Sequence, residues 1–203
     1  MPVSKGERWG EPGALPRHGV IVRSDVEASD IVTAARRAGE PIPPLGLLGG
    51  DLCRTLGGTG DEARLRSDDA VQLPVDLGAV LLDGRLRWFV AHLVARRGWW
   101  RGRVVAAMNA EFLGAWDVAP RGHPNDGRLD VFDADLPFDE RLQVRARLKH
   151  GTHVPHPRID ERHQSAVQLE FEQPTPVYLD GRRLDPAKTL SIRVEPDALL
   201  CVV

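Results

Sequence analysis

The feature that most constrains the fold is the way turn residues separate short apolar stretches after residue 70. Asp83-Gly84 and Asp180-Gly181 are two-residue hairpin signals, because Asp and Gly tolerate the positive φ angles of such turns. The segment 137–149 is the one helical interruption. Many short strands with regular turns predict a β-sandwich. The apolar stretches are 75–80, 87–94, 104–109, 129–132, 167–171, 177–179, 190–194 and 199–203.

The first third of the chain has the element order of an α/β layer, in which strands alternate with helices. Ser29 or Asp30 would cap the first helix, and Gly39 would end it. We therefore predict an α+β fold in two domains: a truncated α/β unit over residues 1–65, followed by a β-sandwich over 66–203. An irregular arm opens the chain, and strand, helix, strand, loop and helix follow it at 19–22, 31–39, 45–48, 49–51 and 52–56.

Composition and charge exclude several classes of protein. Hydrophobic residues make up 42% of the chain and charged residues 28%, with a net charge of −2, so we expect no nucleic-acid partner. No apolar run approaches the roughly 20 residues of a membrane helix, and the N-terminus lacks the apolar core of a signal peptide. We expect a cytoplasmic protein with no transmembrane segment, in which Cys53 and Cys201 are buried hydrophobes rather than a disulfide.

Three motifs in the second part carry a family resemblance. They are the strand and its continuation at 104–114, the segment Pro124-Asn125-Asp126-Gly127-Arg128-Leu129-Asp130, and the tripeptide Asp180-Gly181-Arg182. In this order they resemble the C-terminal domain of bacterial, soluble diacylglycerol kinase-like lipid kinases, within the superfamily that also holds NAD kinases. The resemblance implies a β-sandwich and, in an active member, ATP- and magnesium-dependent phosphorylation of a lipid alcohol.

The same resemblance extends, in eroded form, to the nucleotide domain. Residues 20–27 line up with the family's strand and Gly-Gly-Asp-Gly-Thr loop, of which only Asp25 remains, and Glu27 puts a negative charge at a phosphate-contacting position. Residues 44–57 resemble a second loop and helix. The remnant nucleotide-binding candidates are therefore Asp25, Gly49, Gly50 and Asp51. A glycine pair before a helix suits an anion, but Asp51 could instead cap that helix with its own carboxylate.

The family's first βαβ units have no counterpart in residues 1–18. A sheet that lacks its first strands exposes an edge, and exposed edges are usually covered or paired. We therefore expect an oligomer, either a homodimer or a complex with a protein partner, with the arm at 1–18 as another candidate cover.

Two positions decide whether the family chemistry survives. The tripeptide of the family ends in a Glu that is taken as the catalytic base, whereas this chain has Arg182, which cannot accept a proton near neutral pH. By resemblance, magnesium would be held by the Asp126 side chain and by the carbonyl oxygens of His123 and Arg128. The alternative is that Asn125-Asp126-Gly127 is simply a turn.

These losses favour a non-catalytic pseudoenzyme with no cofactor, which binds a lipid or an anionic small molecule or has an assembly role. The alternative is an active ATP- and magnesium-dependent lipid kinase with a rearranged or subunit-shared site, in which Asp180 or Asp185 would replace the base.

Two further clusters have competing interpretations. The run from Arg96 to Trp100, continued by Arg101 and Arg103, suits peripheral membrane contact or a hairpin whose inward Trp packs the core. The four histidines between His150 and His163 lack zinc-ligand spacing, and we expect them on a loop-and-strand surface.

Overall fold

The computed structural model describes residues 9–203, which form four helices and fifteen strands. The helices are α1 (Asp25–Ala38), α2 (Asp51–Thr55), α3 (Glu62–Leu65) and α4 (Phe138–Leu148). The strands are β1 (Glu11–Pro12), β2 (Val20–Val22), β3 (Leu45–Leu47), β4 (Val71–Leu82), β5 (Arg85–Phe89), β6 (His92–Arg96), β7 (Val104–Met108), β8 (Phe112–Leu113), β9 (Trp116–Asp117), β10 (Leu129–Ala134), β11 (Ile159–Gln164), β12 (Ala166–Thr175), β13 (Val177–Leu179), β14 (Arg182–Arg183) and β15 (Ala187–Val202).

Two sheets pack face to face, as the turn pattern predicts. The first has the order β1-β4-β15-β3-β2, with β12 also paired to β15 and β5 to β4; the second has the order β11-β10-β7-β6-β13-β14. Between them lies an apolar core to which Phe89 and Leu190 of the first sheet and Leu93 and Val131 of the second contribute. The predicted mixed fold with a β-sandwich is confirmed.

Strand β15 joins the two predicted units. One part of it pairs antiparallel with β4 within the sandwich, and its end pairs parallel with β3, Cys201 opposite Leu45. The predicted boundary at residue 65 lies between α3 and β4, yet a single sheet continues across it. The α/β strands therefore extend the sandwich sheet rather than form a sheet of their own.

Helix α1 begins earlier than predicted. The first residue is Asp25, and the cap is Ser24, whose hydroxyl accepts from the amide of Glu27, not Ser29 or Asp30. Its end is as predicted, at Gly39 in the left-handed region with φ of 71°. Ser29 instead lies buried on the helix, because the apolar face that packs on the sheet starts one turn further towards the N-terminus than the sequence pattern suggests.

The described part of the N-terminal arm adds an edge strand. Glu11 and Pro12 pair antiparallel with β4, and the Trp9 indole donates to the carbonyl of Pro74 at 2.9 Å. Strand β2 lies at the other end of the sheet order. The arm from residue 9 onwards therefore does not cover the β2 edge, and the rest of the expected cover, residues 1–8, lies outside the described residues.

Candidate functional site

The turn that carries the resemblance is a structural anchor. Asp180 and Gly181 have φ angles of 51° and 86°, as a hairpin between β13 and β14 requires. The Asp180 carboxylate accepts hydrogen bonds from the backbone amides of Val90, Ala91 and His92 at 2.8–3.0 Å. Complete burial raises the pKa of Asp180 to about 6 despite these bonds.

A carboxylate–imidazole cluster lies at the N-terminus of α2. The Asp25 carboxylate accepts from the amides of Asp51 at 2.6 Å and Leu52 at 3.1 Å. The Asp51 carboxylate lies 3.0 Å from His92 Nε2 and also accepts from the Gly114 amide. The sequence alternative placed a carboxylate on these amides, and the structure assigns that role to Asp25 rather than to Asp51.

Opposing effects set the charges in this cluster. Burial raises the pKa of Asp25. Burial works to raise the pKa of Asp51 as well, but the hydrogen bonds from His92 and Gly114 outweigh it, and the pKa is lowered. For His92, burial works to lower the pKa, but the bond to Asp51 and the neighbouring carboxylates raise it. When its ring is protonated, His92 compensates part of the negative charge of the cluster.

These three residues are also the group within residues 9–203 that could hold a metal ion, since one ligand atom of each lies within 4.8 Å of the others. However, both carboxylates already accept hydrogen bonds from backbone amides. The imidazole nitrogen that faces them, His92 Nε2, lies within hydrogen-bond distance of Asp51. The cluster is held together without a cation.

The segment that the resemblance aligns with the family's phosphate loop forms a helix cap. The Ser24 hydroxyl accepts from the Glu27 amide at 3.2 Å, and Glu27 Oε2 accepts from the Arg23 amide at 2.6 Å. This reciprocal pattern is close to a capping box, whose signature Ser-x-x-Glu is present at 24–27. That signature could have located the start of α1 and the role of Glu27 from the sequence.

Gly49 and Gly50 pack against this cap. A Cβ at Gly49 would lie 2.6 Å from the Arg23 carbonyl oxygen, and one at Gly50, where φ is 98°, would collide with the Asp25 carboxylate. Both glycines are therefore required by the close approach of residues 23–25, whether or not a nucleotide binds.

Arg182, at the family base position, binds another element. Its guanidinium forms two bonds with the Asp30 carboxylate of α1, one of them 2.8 Å long. Both side chains are about half exposed. Arg182 thus ties β14 to α1 at the surface.

The candidate metal turn is satisfied by a histidine. Asp126 Oδ2 lies 2.9 Å from His163 Nε2, and His163 Nδ1 lies 2.9 Å from Asp130 Oδ1. The other Asp126 oxygen accepts from the Arg128 amide at 3.0 Å. A cation on this oxygen of Asp126 would have to displace the His163 ring. The predicted magnesium site at Asp126, His123 and Arg128 stays a prediction.

Sequence reasoning missed the group that supports this turn. Asp76 is fully buried and accepts from the amides of Gly127 at 2.7 Å and Asp197 at 2.9 Å. Burial raises its pKa. A single Asp in a long apolar strand is a weak signal that could have indicated a buried structural carboxylate.

An apolar cavity lies between α4 and the outer face of the second sheet, and we refer to it as the α4 cavity. Its volume is about 120 Å³. Burial lowers the pKa of His153 on its wall to about 4, so this ring is neutral at physiological pH. His153 was expected on the surface but is buried. The residues that define the cavity include Trp99, Ala106, Trp116, Phe132, Val144 and His153.

The tryptophan pair divides between this cavity and the surface. Trp99 packs edge-on against Trp116 with ring centroids 4.9 Å apart, whereas Trp100 is exposed. Both lie in the loop between β6 and β7 rather than on a strand. Within residues 9–203 no helix is long and apolar enough to cross a membrane.

Comparison with known proteins gives a consistent result. The sequence profile of the YegS C-terminal NAD kinase beta sandwich-like domain matches residues 80–203. Two Bacillus anthracis str. Sterne structures, both assigned as diacylglycerol kinases, have a similar fold. One has a TM-score of 0.71 at 16% identity over 91% of this chain and 77% of its own. The other has a TM-score of 0.61 at 18% identity over 91% and 75%. No curated protein sequence matches.

Proposed function

Because the chain belongs to the family of the YegS C-terminal NAD kinase beta sandwich-like domain, as the resemblance to diacylglycerol kinase-like lipid kinases predicts, we propose that it is a non-catalytic member. It binds an apolar ligand in the α4 cavity and does not phosphorylate it. One observation carries the proposal of a non-catalytic member: the Asp25 carboxylate accepts from the Asp51 and Leu52 amides, the position that the family resemblance assigns to a nucleotide.

The residues around Asp180 support the absence of phosphoryl transfer. Arg182 cannot accept a proton and is paired with Asp30. Asp180, the first candidate for a substitute base, is buried and accepts from three amides. Asp185, the second candidate, is exposed and has no structural link to the α2 cluster in the described residues.

The size and lining of the α4 cavity support the ligand class. An apolar cavity of roughly 150 Å³ takes up a benzene-sized molecule, so a cavity of about 120 Å³ suits an aromatic ring or the end of one alkyl chain. A neutral His153 adds no charge that would oppose an apolar guest. We therefore expect single-chain lipids or aryl compounds to enter, with their polar groups outside.

Ligand binding can be measured through the tryptophans of the cavity wall. A fatty acid with a spin label on its chain should quench Trp99 and Trp116, because both rings line the cavity. Ala106→Leu fills the space, so it should lower the apparent affinity measured by this quenching at least about tenfold. Ala146→Leu, on the exposed side of α4, should leave it unchanged. Equal quenching in both variants would place the ligand elsewhere.

The catalytic part is tested separately. Purified protein with ATP, magnesium and diacylglycerol should give no phosphorylated lipid, and calorimetry with millimolar ATP–magnesium should give no binding heat. Sustained ATP-dependent phosphorylation would favour the alternative, an active kinase whose site is rearranged or completed by another subunit.

A further inference from the structure

The surface beside the α4 cavity carries a contiguous apolar patch. Five large hydrophobic side chains are exposed within residues 9–203, and three of them lie here: Trp100 at 44%, Phe138 at 59% and Leu142 at 48% exposure. The rings of Trp100 and Phe138 are 5.8 Å apart between centroids, and Leu142 lies one helical turn from Phe138 on α4. We refer to these three residues as the Trp100 face.

Exposed cations surround this face. The segments 96–103 and 138–149 contain eight arginine and lysine residues and only two acidic ones, in a chain whose net charge is −2. Five of the eight are exposed and form no ion pair within the described part of the chain: Arg97, Arg101, Arg145, Arg147 and Lys149. Arg97 and Arg101 line a surface pocket that also contains Asp135, Glu170 and Glu172, but none of the five cations is in an ion pair within residues 9–203, so they are available to an external anion.

Internal contacts hold the loop and the helix together as one platform. Arg141 of α4 is buried, and its guanidinium donates to the carbonyls of Leu136, Trp99 and Gly102. Arg145 lies 5.1 Å from the ring centroids of both Trp100 and Trp116. Trp116 lines the cavity, so Arg145 connects the Trp100 face to the cavity rim.

We propose that the Trp100 face docks onto the surface of an anionic phospholipid bilayer. Indole rings are favourable at the headgroup level, where Trp100 would lie, and arginines around them can bind lipid phosphates. Phe138 and Leu142 would reach the boundary of the acyl chains. An aliphatic side chain such as Leu142 suits this environment better than it suits a surface on which nucleic-acid bases stack. The proposal depends on residues outside the cavity and holds whether or not a ligand enters it.

Co-sedimentation of the full chain with vesicles tests this proposal. We expect binding to phosphatidylcholine vesicles that contain phosphatidylglycerol, little binding to phosphatidylcholine alone, and weakening as salt rises. Trp100→Ala and Leu142→Ala should each lower the apparent affinity about tenfold. Leu81→Ala, a matched change at an exposed leucine on β4, should have no effect.

Charge reversal provides the second pair of variants. Arg101→Glu should lower the affinity for anionic vesicles about tenfold, whereas Arg66→Glu, after α3, should not. Ala106→Leu should keep vesicle binding even where it abolishes ligand binding, which separates this proposal from the proposed function.

Several results would overturn the proposal. They are the absence of binding to anionic vesicles, equal binding to neutral vesicles, and full binding by Leu142→Ala and Trp100→Ala. Tighter binding to a single-stranded oligonucleotide would indicate a nucleic-acid surface instead. Self-association that Leu142→Ala abolishes, without vesicle binding, would identify the face as an interface between two copies.

Discussion

The α2 cluster and the α4 cavity differ in whether the protein's own side chains fill them. At α2, the positions that the family resemblance assigns to a nucleotide are filled by the protein's own groups: Asp25 on the helix amides, and His92 on Asp51. At α4, an apolar space of about 120 Å³ stays open beneath the helix. A polar site that loses its ligand must satisfy its buried donors internally, because an unpaired amide is costly. An apolar cavity carries no such requirement.

The largest expected effect concerns Asp180. Asp180→Ala would leave three buried amides without an acceptor, and we expect a loss of about 3–5 kcal/mol in the free energy of unfolding. Urea denaturation followed by tryptophan fluorescence would measure it, with the exposed Asp185→Ala as a control near zero. A loss below about 1 kcal/mol would show that the structure does not depend on the Asp180 carboxylate as an acceptor for the three amides.

The pH dependence of the same residue gives the next effect. The folded pKa of Asp180, about 6, lies above its ordinary value of 3.8, so between these values the folded state holds a proton that the unfolded state has lost. Raising the pH from 4 to 6 should therefore lower the free energy of unfolding, by about 2 kcal/mol from this group. Asp180→Asn should lack this decline. Parallel curves of the free energy of unfolding against pH for the two proteins would contradict the raised pKa of Asp180.

Substitutions at two neighbouring alanines on β7 compare the effect of added side-chain volume in the closed core and in the cavity. Ala107 belongs to the closed core of the sandwich, whereas Ala106 lines the α4 cavity. Ala107→Leu should destabilise by about 2–3 kcal/mol through overpacking, and Ala106→Leu should change stability by less than about 1 kcal/mol. Thermal and urea denaturation would measure both. Equal losses would mean that the cavity cannot accept added volume.

Asp25→Ala tests whether the filled site is permanently closed. Removal of the acceptor of two amides should cost about 2 kcal/mol, against no measurable change for the exposed Glu40→Ala. We expect no ATP binding in calorimetry, because Glu27 and the short α2 remain. If the variant binds ATP–magnesium, Asp25 is a replaceable cover, and the contrast between the two regions becomes smaller.

The smallest effect is expected at the position of the family base. Arg182→Ala removes a half-exposed ion pair with Asp30 and should cost no more than about 0.5 kcal/mol. Arg182→Glu should not create kinase activity in the lipid phosphorylation assay, since the nucleotide positions stay filled. Phosphorylation by that variant would show that the base alone was missing.

What the sequence could predict depends on how local each cause is. The Asp-Gly turns at 83–84 and 180–181 and the stop at Gly39 follow from φ preferences of single residues, and they are confirmed. The predicted start of α1 was wrong because the buried face of the helix begins at Asp25, before the apolar run from Ile31 that the prediction used. The contacts between Asp25 and α2 and between His163 and Asp126 join distant segments, and no local pattern contains them.

The pairing of β15 with β3 also bears on how the chain acquires its structure during synthesis. Leu45 pairs with Val20 of β2 on one side and with Cys201 of β15 on the other, so β2 and β3 have emerged from the ribosome long before the strand that joins them to the sandwich. Such long-range pairing slows folding, and domains that fold during synthesis normally complete their contacts in order. The α/β segment here therefore completes its sheet only when β15, the last strand of the chain, is in place.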